Sequence, residues 1–101
     1  MLVLNEDTFA ENTSEGLVLV DFFTVWCGPC KVLAPVLEEI EGIKVCKVDV
    51  EENRDLGVRF AVSGVPCLVF LRDGVEVDRI TGLASKAAIQ LKVDQLNAET
   101  A

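Results

Sequence analysis

Short apolar runs alternate with stretches of helical period from one end of the chain to the other. Leu2 to Leu4 predicts a short strand. Asn5 is placed to cap a helix over Glu6 to Asn12, with Glu6 and Asp7 in a first turn whose dipole favours acids. Leu17-Val18-Leu19-Val20-Asp21-Phe22-Phe23 is almost wholly apolar and rich in β formers, as strands covered on both faces are. From about Cys27 to Glu41, the positions Val32, Leu33, Val36, Leu37 and Ile40 trace one helical stripe, which Pro35 should kink and Gly42 should end. Ile43 to Val50 predicts a third strand. Glu52 to Val62 predicts a shorter helix facing inward through Leu56 and Phe60, with Val58 a further candidate. Leu68 to Leu71, Arg72-Asp73-Gly74 and Val75 to Ile80 form a hairpin signal, because Asp-Gly supplies the positive φ angles of a tight antiparallel turn. Ser85 to Leu96 closes the chain as an amphipathic helix, with Ala88, Leu91 and Gln95 on its inner side. The order β-α-β-α-β-α-β-β-α predicts an α/β fold with a mixed sheet and helices on both faces.

Composition narrows the chemistry. The chain has 101 residues, half of them apolar, and suits one domain spanning 1–101 without linker or repeat. With 9 basic and 17 acidic residues its net charge is −8, which repels a polyphosphate backbone, so nucleic acid is not an expected partner. No run approaches the length of a membrane span. The first residues show no basic lead or long apolar run, so a secretory signal is not expected and a cytoplasmic location is. There is no His, which removes Ser-His-Asp and Cys-His catalysis and every His-ligated metal site. Chemistry must come from Cys, Asp, Glu or Lys.

The segment Trp26-Cys27-Gly28-Pro29-Cys30-Lys31 lies where the buried strand turns into the long helix. Sulfurs three positions apart at a helix start share a face and can bond. Cys27 falls at or beside the N-cap, where free amides and the helix dipole favour the thiolate, the nucleophilic form. Pro29 fixes the backbone and suits a first helical turn. A metal site is the competing reading, but the other cysteines, Cys46 and Cys67, lack ligand spacing, so no metal is expected. A purely structural disulfide fits a cytoplasmic chain less well than redox chemistry does.

At these residues the chain resembles the thioredoxin family, over nearly its whole length. Val20-Asp21-Phe22, Trp-Cys-Gly-Pro-Cys-Lys at 26–31, Gly64-Val65-Pro66 and Gly82 occur in the family's order. The resemblance implies the thioredoxin fold, a central mixed five-stranded sheet flanked by four helices. It implies a protein-disulfide reductase with no cofactor beyond a redox-active Cys27-Cys30 disulfide, recharged by a thioredoxin reductase and acting on disulfide-containing client proteins. Cys27 would attack the client disulfide, Cys30 would resolve the mixed disulfide, and Asp21 would accept the proton of Cys30 through water. Trp26, Gly28, Pro29, Gly64, Val65, Pro66 and Gly82 would form the client groove, with Pro66 cis against the active disulfide. Lys47, Lys31 and Phe23 would support the site. A small acidic monomer is the expected form.

Two positions depart from the family pattern. Phe23 stands where the family usually has Trp, and Cys67 where it usually has Thr. Phe23 keeps apolar bulk but loses the indole donor. A buried free cysteine ordinarily behaves as a small hydrophobe. The sharper alternative puts Cys67 near the Cys27-Cys30 pair, in a binding or metal-binding module on the same fold. An oxidase or isomerase is a further alternative, against which the Gly-Pro dipeptide argues.

Overall fold

A computed structural model describes residues 1–99. The elements in chain order are β1 (Leu2–Val3), α1 (Phe9–Thr13), β2 (Leu17–Phe23), α2 (Gly28–Glu38), β3 (Lys44–Asp49), α3 (Arg54–Arg59), β4 (Cys67–Arg72), β5 (Val75–Thr81) and α4 (Lys86–Ala98). The strands form one sheet in the order β1-β3-β2-β4-β5. β3 runs parallel to both β1 and β2, while β4 runs antiparallel to β2 and to β5. The mixed sheet with helices on both faces is therefore as the sequence predicts.

Alternation along the strands divides the core into two layers. Val18, Val20 and Phe22 of β2, with Cys46, Val48, Cys67, Val69 and Leu71, face Phe9 of α1, Leu56 of α3 and Phe60 at its C-cap. Phe60 meets Phe9 and Phe22 at ring-centroid distances of 5.4 and 5.6 Å. On the other face Leu19, Leu68 and Phe70 meet Leu33 and Leu37 of α2 and Ile89, Val93 and Leu96 of α4. Both faces of β2 are covered, which explains its near-continuous apolar run.

Several boundaries and phases differ from the sequence expectation. Asn5 caps a turn rather than a helix, its Oδ1 accepting the amides of Asp7 and Thr8, and α1 begins only at Phe9. α2 runs through Pro35 on its exposed side and stops at Glu38, before Gly42. Val32 and Val58 are exposed. α4 is rotated one position from the expected stripe: Ile89, Val93 and Leu96 are buried, while Ala88 and Gln95 are exposed and Leu91 keeps 59% of its surface in water. The i, i+4, i+7 set 89/93/96 is wholly apolar, whereas 88/91/95 would have buried a glutamine.

The β4–β5 hairpin closes through Asp73 and Gly74 at φ 52° and 83°, the two positive values a type I′ turn requires. Asp73 also ties the tip to the start of β2, its Oδ1 accepting from Gly16 N–H at 2.7 Å. A bulge between Phe70 and Leu71 leaves Val77 as an extra residue on β5. β1, at the opposite edge, is two residues long.

The helix phase can be tested by a pair of truncations. Ile89→Ala is expected to lower unfolding free energy by about 2–5 kcal/mol and Leu91→Ala by less than about 0.5 kcal/mol, read by urea denaturation. The reverse ranking would restore the stripe through Leu91.

Candidate active site

Sheet topology brings three loops to one end. Phe22 near the end of β2 pairs with Cys67 at the start of β4, and Cys67 pairs with Thr81 at the end of β5. The segments 24–27, 63–66 and 82–84 consequently emerge side by side beyond that sheet end. Gly82 N–H donates to Pro66 C=O at 2.9 Å, joining two of them. The Val65–Pro66 peptide is cis. Pro66 is buried, Val65 half-buried and Gly64 exposed.

Cys27 is the N-cap of α2, in extended conformation, and Pro29 lies in the first turn. The Sγ of Cys27 accepts the amide of Cys30 at 3.1 Å, taking up one of the donors a helix start leaves free. The two cysteines are joined as a disulfide, with their Cα atoms 5.2 Å apart. Cys27 is half-buried, Cys30 buried, and Gly28 and Pro29 exposed. Trp26 stands out with 82% of its surface in water.

Asp21, two residues before the end of β2, is only 2% exposed, and its Oδ1 is buried without a hydrogen-bond partner among the described residues. Desolvation lifts its carboxyl to about 6, against a smaller opposing pull from Lys47. Lys47 is the parallel register partner of Asp21 on β3. Its Nζ lies 5.2 Å from the centroid of the Phe23 ring. Phe23 thus offers an aromatic face to the ammonium, a cation–π contact.

A cleft of about 220 Å³ is lined by Asp21, Phe23, Cys30, Lys31 and Lys47, five residues singled out in the sequence, together with Thr24, Val25 and Ala34. The last three were not expected there. Ala34 could have been found as one turn beyond Cys30, whereas Thr24, whose carbonyl accepts the Cys27 amide at 3.3 Å, carries no comparable signal in the sequence. The cleft gives the buried carboxylate and the buried sulfur a common opening toward solvent.

Cys67 does not join this group. Strand alternation turns it toward Phe22 and Phe60, on the face away from α2. Burial pushes its thiol above the usual range, although nearby Arg79 acts in the other direction. Cys46 lies in the same layer and is likewise raised by burial. Among the described residues no three His, Cys, Asp or Glu side chains converge as a metal-ligand set. The metal-binding alternative built on Cys67 near the motif is corrected accordingly. Among the same residues no helix is long and apolar enough to cross a membrane.

Comparison with known proteins points in one direction. The thioredoxin family model matches residues 1–95. The thioredoxin of Bacillus subtilis (strain 168) is 41% identical over 95 residues, covering 89% of this chain and 91% of the relative. That of Listeria monocytogenes serovar 1/2a (strain ATCC BAA-679 / EGD-e) is 46% identical over 88 residues, covering 82% and 85%. Among solved structures, a mutant thioredoxin from Halobacterium salinarum NRC-1 superposes with a TM-score of 0.87 at 34% identity, covering 93% of this chain and 88% of that one.

The carboxyl of Asp21 has a consequence for stability. An unfolded aspartate releases its proton near about pH 4, whereas the folded one holds it to about 6, so the folded state binds more protons in between. Asp21's contribution to stability is therefore expected to fall as pH rises from about 4 to about 6, by about 3 kcal/mol, and to stay lower above that window. Asp21→Asn removes this dependence: urea unfolding of the disulfide form should show the variant gaining on the wild type as pH rises. Parallel stability curves for the two proteins would disprove the buried titration.

Proposed function

The chain belongs to the thioredoxin family, and from that premise we propose how its residues divide the work of reducing a disulfide. It is a thiol–disulfide oxidoreductase whose redox centre is its own cysteine pair, with no cofactor. In the reduced protein Cys27 is the nucleophile. This half-buried residue has its sulfur at the helix terminus, where the Cys30 amide already donates to it, an arrangement that favours negative charge. Its thiolate attacks one sulfur of the client disulfide, forms a Cys27–client mixed disulfide and expels the other client sulfur as a thiolate, which takes a proton from solvent.

Cys30 then resolves the intermediate. Asp21 accepts the Cys30 proton through water in the cleft that both residues line. The Cys30 thiolate attacks Cys27 Sγ, the Cys27–client bond breaks, and the second client sulfur leaves. Two electrons have passed to the client, and the chain is left with the Cys27–Cys30 disulfide seen here. A carboxyl lifted to about 6 changes charge close to neutral pH, as a proton acceptor for this step requires. The observation that carries the assignment is the asymmetry of the pair, one cysteine half-buried at the helix cap and the other buried in the cleft that Asp21 also lines.

The client lies across Trp26, Gly28, Pro29, Gly64, Val65, Pro66 and Gly82, with the Val65 backbone offering strand-like hydrogen bonds. Gly82 is held at φ 87°, which calls for glycine, but Gly64 has no positive φ and a Cβ there would meet nothing within 4 Å. A side chain at Gly64 would meet nothing inside the protein, and its lack of one leaves room for a client backbone to approach closely. Lys47, Lys31 and Phe23 support the site by shaping the cleft beside Asp21. The family implies a thioredoxin reductase as the source of electrons and disulfide-containing proteins as partners. We place the protein in the cytoplasm, as a monomer with a single domain over 1–101.

Two measurements check this division of roles. Cys30→Ser should accumulate a mixed disulfide with a protein substrate, visible by mass and reversed by dithiothreitol, while Cys27→Ser should trap none. The opposite result would exchange the roles. Equilibration of the wild type across a dithiol series should show a two-thiol transition near about −270 mV, a value taken from thioredoxin itself rather than from this structure. A transition nearer about −180 to −120 mV would indicate an oxidase or isomerase instead.

A further inference from the structure

The loop carrying Val65 and Pro66 begins where α3 ends and finishes where β4 starts. Phe60 is the last cap of α3, and Ala61 leaves it at φ 52°. Val62 N–H donates to Gly57 C=O at 2.8 Å, and Cys67 opens β4. Between these roots lie Ser63, Gly64, Val65 and Pro66. The side chain of Arg79, on neighbouring β5, reaches both roots. Its Nη2 donates to Phe60 C=O at 2.6 Å, and its Nη1 approaches Cys67 Sγ at 3.9 Å.

The guanidinium is itself held in place. Nε and Nη2 donate to the two carboxylate oxygens of Glu76 at 2.7 and 2.8 Å, a two-pronged pair three residues apart on the same strand. That partnership lowers the Glu76 carboxyl from its ordinary range and raises Arg79 further. The Arg79 side chain is 29% exposed, so the fork sits partly within the protein. Planar geometry and five donors let arginine bridge a carboxylate, a carbonyl and a sulfur at once; a lysine ammonium is a single point on a flexible stem.

We propose that Arg79 is a positioning residue for client binding, pinning both roots of the 61–66 loop so that the Val65 backbone is set before a client arrives. The inference rests on the reading that Val65 meets the client. Arg79 touches neither Cys27 nor Asp21 through any hydrogen bond described, so its influence falls on binding rather than on sulfur exchange. With the fork removed, the loop keeps its fold but must be ordered by the client, and that cost appears in KM.

The test uses Arg79→Met and Arg79→Lys in the full chain, with insulin as the protein disulfide and dithiothreitol as the small dithiol. Both variants are expected to raise KM for insulin by about three- to ten-fold, with kcat and the rate of dithiothreitol exchange held within about twofold. Amide hydrogen exchange at Gly64 and Val65 should quicken in both. If Arg79→Met does not fold, Arg79→Lys decides alone. Arg79→Lys with the wild-type KM would mean that charge, not the fork, matters, and would overturn the proposal. An unchanged KM in both folded variants would overturn it too, as would a parallel fall in dithiothreitol exchange. A wild type that exchanges with dithiothreitol yet leaves insulin unreduced would instead strike down the client reading itself.

Discussion

The site depends on β2 being buried on both faces. A central strand flanked by β3 and β4 and sandwiched between helix layers has no wet side, so any carboxylate placed in it loses its hydration. Asp21 is that carboxylate, and its lifted proton affinity follows from the same burial that stabilises Leu19, Val20 and Phe22 around it. The strand also aims the chain. It ends against the start of β4, so the helix that follows must begin at the sheet end where the Val65–Pro66 loop arrives. Cys27 is a capping residue because of where β2 stops.

Stability and chemistry pull against one another at this strand. A leucine at position 21 would complete the apolar run, whereas the aspartate weakens the fold at neutral pH and puts a titratable carboxyl in the cleft that Cys30 also lines. Lys47 tempers the conflict from the adjacent strand, with its ammonium held over the Phe23 ring instead of in a direct ion pair. Phe23 has lost the indole donor expected from the family pattern but keeps the aromatic face.

Strands, their order and the cysteine motif were legible in the sequence because each leaves a local signature: an unbroken apolar run, an Asp-Gly turn, a Cys-Gly-Pro-Cys step beside a strand end. Helix phase was not, where two stripes compete. In α4 the choice between 88/91/95 and 89/93/96 turns on the burial of a single glutamine, and Leu91 disguises it by lying on the wet side. Asn5 illustrates a different difficulty. Its side chain satisfies amides as a helix cap would, but the three residues after it form a turn, which the same hydrogen bonds serve equally well. Cys67 was ambiguous because its role depends on a face, and the face depends on the register between β2 and β4. Arg79 left no signal at all: its partners Phe60 and Cys67 lie 19 and 12 residues away, and only the folded sheet makes them neighbours.

The two margins of the sheet bear on how such a protein tolerates crowding by its own copies. One margin is a strand of only two residues, too short to template a long ladder. The other is interrupted by the extra residue Val77 and carries Glu76, Asp78 and Arg79 along its length. A bulge skews the row of backbone donors and acceptors, and the charges penalise an approaching strand. Chain-to-chain sheet extension therefore finds no long, flat, uncharged border on either side, so the 82% exposed Trp26 sits on a sheet whose margins do not invite a second copy.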